Sequence, residues 1–94
     1  MRPHIKKLIL SQQLAEITEH FIYADLAAIE KDPHNKKVLT QISKDEHAHY
    51  DLLKKYTRTE IQPDRFRIFR YKLIARIFGL TFGLKLMELS LIHI

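Results

Sequence analysis

Glu46 and His49 stand three residues apart, a spacing that sets an acid and an imidazole one turn apart on the same side of a helix. Glu-x-x-His on one helix aims two ligands at a single metal ion. Stepping about 100° per residue, Val38, Leu39, Ile42, Tyr50, Leu53 and Tyr56 fall within roughly 80° of Glu46, as does His49. A bare carboxylate in the middle of that apolar stripe is costly unless something compensates it. A metal ion is one compensation and a buried Glu–His hydrogen bond is another. The motif alone does not choose between them.

A second acid shifts the balance toward metal. Glu16 shares a stripe with Ile5, Ile9, Gln12, His20, Tyr23 and Ala27. It precedes Pro33 by 17 residues (33 − 16), and Glu46 follows Pro33 by 13 (46 − 33). At about 1.5 Å per residue, an antiparallel hairpin turning at Pro33 brings the two acids within about one turn of each other. Two carboxylates and one imidazole at similar depth suit iron or manganese better than structural zinc. Tyr23 either hydrogen-bonds a ligand carboxylate from behind or packs in the core, and His20 is either a supporting group or a boundary histidine. Glu88 is a further acid on an apolar stripe, with Ile74, Ile77, Thr81 and Leu84 on its side and Gly79 and Gly83 on the other.

Three helices are needed to position these groups. The first is expected from Pro3 or Ser11 to Lys31, and the second over residues 35–56. Between them Asp32-Pro33-His34-Asn35 forms the turn, because proline breaks a helix and disfavours helical geometry at the preceding residue. Residues 57–62 connect to a third helix that begins at Pro63 and runs to the end. Two glycines and three prolines in 94 residues are too few for a chain of many short strands and turns. The expected fold class is all-α.

The absence of cysteine excludes disulfides, thiolate metal sites, iron–sulfur clusters and cysteine nucleophiles. No glycine-rich phosphate loop is present, and Ser11, Ser43 and Ser90 lack a nucleophile-elbow context. No signal-peptide pattern opens the chain. Residues 73–94, the most apolar stretch, contain Arg76, Lys85, Glu88 and His93, which are costly in lipid. The net charge of +5 is unevenly placed, with Lys54, Lys55, Arg58, Arg65, Arg67, Arg70, Lys72 and Arg76 in one stretch against Asp51, Glu60 and Asp64. That stretch reads either as a solvated helix face or as an interaction surface for anionic membrane, nucleic acid or an acidic partner, with membrane favoured over nucleic acid.

Residues 16–23 (EITEHFIY), the 30-residue step from Glu16 to Glu46 (46 − 16), and Glu46-His-Ala-His49 resemble the first half of a rubrerythrin-like, ferritin-like diiron domain. Residues 79–88 (GLTFGLKLME) resemble the branch found at the N-terminus of vacuolar-iron-transporter-type membrane proteins. The resemblance covers residues 12–88. It implies a four-helix bundle holding two iron ions, or manganese, with Glu16 on one ion, Glu46 bridging, His49 on one ion and Glu88 as the third-helix counterpart of Glu16. Glu19 ranks second as the helix-one ligand. The implied chemistry is oxidation of Fe(II) by oxygen or peroxide, or peroxide reduction, beside a cytoplasmic membrane face and feeding a transporter domain. A complete site of this kind needs a fourth helix with a second Glu-x-x-His, which these 94 residues lack. Residues 89–94 (LSLIHI) resemble the translation of a sequencing adapter, so the expected division is a partial domain over 1–88 and a non-native tail. The chain alone is then expected to be inactive, unless a homodimer or a missing C-terminal helix completes the site.

Overall fold

The computed structural model describes residues 2–79; residues 80–94, which include Glu88, His93 and the expected tail, lie outside them. The described chain is all-helical: α1 (Pro3–Ile29), α2 (Pro33–Thr57) and α3 (Arg65–Phe78). α1 starts at the earlier of its two expected positions. The hairpin turn lies two residues earlier than expected. α1 ends at Ile29, and α2 begins at Pro33 rather than at residue 35. Asp32 explains the early start, since its carboxylate accepts from the Asn35 N–H at 2.9 Å and Pro33 needs no partner for a missing N–H. Asp64 repeats the device for α3, accepting from the Arg67 N–H at 3.1 Å, so that helix begins two residues after Pro63.

At the other end of α3 the structure departs further from expectation. The helix stops at Phe78, where Gly79 takes φ 97°. That backbone conformation suits glycine, so Gly79 terminates the helix instead of lining a helix contact within it. α2 ends without a glycine: Arg58 adopts the left-handed conformation (φ 53°, ψ 29°) and closes on the Lys54 carbonyl.

α1 and α2 pack as an antiparallel hairpin, and α3 packs on α1. α3 begins beside Thr18 and carries Ala75 into the cluster of Ile22, Leu26 and Ala27, so it runs in the same direction as α1. The core is completed by Tyr23 and Leu39, with Ile29, Ile42, Ile68 and Tyr71 half-buried around it. Because α1 is covered from two sides, its buried residues do not form one stripe. Ala15, Ile17, Thr18, Glu19, Ile22, Tyr23, Leu26 and Ala27 are all buried, whereas Ile5 and Gln12 of the expected stripe are exposed. On α2 the expected face is divided. Leu39 and Tyr50 are buried, Ile42 and Leu53 are half-buried, and Val38 and Tyr56 are exposed.

The connector 58–64 sets the position of α3, and it is held by side chains of the hairpin. Gln13, fully buried, donates to the Thr59 carbonyl at 2.6 Å and accepts from the Thr57 hydroxyl at 2.7 Å. The Tyr50 hydroxyl accepts from the Ile61 N–H at 2.9 Å, and the Thr18 hydroxyl accepts from the Asp64 N–H at 3.0 Å. Buried polar groups left without partners cost far more than a satisfied pair contributes. Gln13→Ala removes the short bonds to the Thr57 hydroxyl and the Thr59 carbonyl and leaves that hydroxyl, as donor, and that carbonyl only a 3.5 Å contact with each other, so urea unfolding should show a loss of about 2 kcal/mol. A change of less than about 0.5 kcal/mol, the range of ordinary surface substitutions, would show that the connector does not depend on this network.

Candidate metal centre

The hairpin register brings Glu16, Glu46 and His49 together: one ligand atom from each lies within 4.8 Å of the others. His49 Nδ1 is 3.4 Å from Glu16 Oε2 and 3.9 Å from Glu46 Oε1. The Glu16 and Glu46 side chains are 12% and 17% exposed, whereas His49 is 57% exposed. The group is therefore closed on the hairpin side and open on the other, where Val38, Leu52 and Tyr56 also stand exposed. Gln12 Nε2 donates to Glu16 Oε1 at 2.7 Å, which orients that carboxylate and leaves its second oxygen toward His49.

Glu19 is the deepest of the acids, at 4% exposure. It and Glu46 interact through their carboxyl groups, so three acids meet in one seam. Glu16 Oε2 and Glu19 Oε1 are buried, and apart from a proton on Glu46 no group among the described residues donates to them. Burial above all, then hydrogen bonds to Glu16 and Glu19, then their like charges, push the Glu46 carboxyl up to about 9. Burial also raises Glu19. There the hydrogen bond from Glu46 acts in the opposite direction, the charge of Glu16 adds to the rise, and Arg67 of α3 opposes it. Without a cation in the seam, a proton on Glu46 does the compensating.

The remaining expected site residues fall in different surroundings. His20 faces the other side of the hairpin seam. Its Nδ1 lies 2.7 Å from the Ser43 carbonyl and 2.9 Å from the Ser43 hydroxyl, and that hydroxyl lies 2.8 Å from the His20 carbonyl. Its ring also stacks edgewise on Phe21 and His47. Tyr23 is buried in the core cluster. Glu88 lies outside the described residues. Arg67, counted in sequence among the surface cations, instead acts on Glu19 and lies 5.8 Å from the Tyr71 ring centre. No local pattern marks Arg67 for this role, because it depends on how α3 is laid against α1. Gln12 does carry a local signal, four residues before Glu16.

No family model, curated protein or solved structure matches the chain.

A group whose folded pKa is raised contributes most to stability below its unfolded value, and the contribution is lost as pH rises through the folded value. For Glu46 that window runs from 4.5 up to about 9. Glu46→Gln keeps the shape of the protonated acid and does not titrate. In thermal melts with a chelator present, wild type should lose melting temperature relative to Glu46→Gln as pH rises across that window. Parallel curves would exclude a buried, proton-bearing Glu46.

Proposed function

We propose that this chain is a metal-binding module of the diiron-carboxylate type, with Glu16, Glu46 and His49 holding one ion and Glu19 beside it. The observation that carries the reading is the pair of orphaned carboxylate oxygens, Glu16 Oε2 and Glu19 Oε1, buried in a seam that also holds Glu46 and the His49 nitrogen. A divalent cation supplies there what the described side chains do not, and it displaces the proton from Glu46. The donor set is rich in oxygen with a single imidazole, which fits iron or manganese. Bound iron would contribute redox chemistry toward oxygen or peroxide.

The three helices fit a reading as part of a four-helix bundle of ferritin-like type. In such sites two helices give one Glu each and the other two give Glu-x-x-His. α1 and α2 supply one half of that set. The open side of the group, at Val38, His49, Leu52 and Tyr56, is where a fourth helix would complete it, from further chain or from a second copy. The resemblance stated above extends the reading to iron oxidation and to delivery toward a transporter domain. The purely structural alternative is supported by the raised Glu46, since a protonated acid can satisfy the seam without metal.

One experiment separates the two. Fe(II) is titrated anaerobically, and Mn(II) in parallel, into wild type, Glu46→Gln and His49→Ala, with melting temperature and oligomeric state recorded. Wild type should bind about one ion per described site, melt higher with metal, and bind more tightly as pH rises. Glu46→Gln should keep its fold and lose affinity by at least tenfold, on the order of the loss when a metal site's support is removed. Equal binding by Glu46→Gln, or no metal-dependent rise in melting temperature, would leave the structural reading standing.

A further inference from the structure

α3 has two apolar sides, and the hairpin covers only one of them. Ile68, Tyr71, Ile74 and Ala75 turn toward α1 and are buried or half-buried. On the opposite side, Phe66, Phe69, Leu73 and Ile77 recur at spacings of three and four residues and are 69%, 60%, 43% and 63% exposed. Arg65, Arg70, Lys72 and Arg76 flank this outer stripe. The Arg70 guanidinium lies 5.4 Å from the Phe66 ring centre. Phe21 of α1 continues the apolar surface across a groove of about 300 Å³ bordered by Arg65, Phe69 and Lys72, with Asp25 as its acid.

The charge is as lopsided as the apolarity. α3 carries five cations and no acid. The rest of the chain has 11 cations (16 − 5) against 11 acids, so the whole excess of +5 resides in this one helix.

We propose that the outer face of α3 docks on an anionic lipid surface, with the helix lying in the plane of the interface. Its four apolar side chains enter the headgroup boundary, and Arg65, Arg70, Lys72 and Arg76 meet the lipid phosphates. An apolar stripe with cations along its edges is the design of an interfacial helix. At 14 residues, about 21 Å, α3 is long enough to lie on a bilayer. No described helix is long and apolar enough to cross one. Nucleic acid fits less well, because Leu73 and Ile77 offer nothing to stack on a base and the cations flank the stripe rather than occupy its centre. A second copy fits less well too, since a two-fold pairing of this face sets each cation row against a like row.

The full chain is sedimented with vesicles of phosphatidylcholine alone and of phosphatidylcholine mixed with phosphatidylserine. Wild type should partition onto the mixed vesicles, and less so as salt rises. Arg70→Gln with Arg76→Gln should weaken partitioning roughly 25-fold, about fivefold per cation lost. Phe66→Ser with Phe69→Ser should weaken it at least about tenfold, with helical circular dichroism unchanged because both rings are already exposed. The chain contains no tryptophan, so Phe66→Trp is a single reporter whose emission should shift to the blue on mixed vesicles. Equal partitioning onto both vesicle types overturns the proposal, as does an unaltered Phe66→Ser/Phe69→Ser variant. Tighter binding to a single-stranded oligonucleotide than to mixed vesicles would assign the face to nucleic acid. A dimer without vesicles that the same double variant dissociates would assign it to a second copy.

Discussion

Three carboxyl groups cannot share a largely buried seam without a proton or a cation between them. Glu16, Glu19 and Glu46 meet where α1 and α2 face each other, and two of their oxygens have no donor among the described residues apart from a proton on Glu46. This one constraint organises the middle of the molecule. It holds Glu46 protonated far above the ordinary carboxylate range. It also brings the charge of Arg67 to bear on Glu19, and it sets the His49 imidazole beside Glu16 at the open edge. A helical hairpin built only for stability would place apolar side chains at these depths, because burying an acid sacrifices hydration that packing does not return.

The remainder of the fold keeps that seam in register. Asp32 and Pro33 close the hairpin at a fixed residue, and that choice sets which turn of α1 faces which turn of α2. Ser43 and His20 tie the same two helices together on the side away from the acids. Gln13, Thr57 and Tyr50 then hold the connector, so α3 lies on α1 with Arg67 near Glu19. The polar network therefore links the acid seam to a helix that contributes no residue to the Glu16, Glu46 and His49 group.

α1 is the central element, and this explains why two other faces remain uncovered. With α2 and α3 both packed on it, neither outer helix closes over the other. α2 keeps Val38, Leu52 and Tyr56 exposed around His49, and α3 keeps its stripe of Phe66, Phe69, Leu73 and Ile77. The two faces differ in chemistry. The first carries the His49 imidazole of the proposed metal centre, so the proposed occupant is another helix. The second is edged by arginines, so the proposed occupant is an anionic surface.

Local chemistry carried much of this in the sequence. Pro33 and the apolar periodicity were enough for three helices, and counting residues on either side of Pro33 was enough to bring Glu16 and Glu46 to one level. Glu-x-x-His spacing put His49 beside them. These features depend only on helix geometry, which repeats every residue and needs no knowledge of neighbours. The starts of α2 and α3 lie two residues from the expected positions because Asp32 and Asp64 cap one residue outside the helix that each begins. Gly79, which the expected third helix includes, takes a positive φ and ends α3. Tertiary structure alone decided the rest. It made Glu19 deeper than Glu16, turned Arg67 inward, tied His20 to Ser43 and left the outer stripe of α3 bare. Each of these depends on which faces of α1 the other two helices occupy, and no spacing within a single helix encodes the face a distant helix will cover.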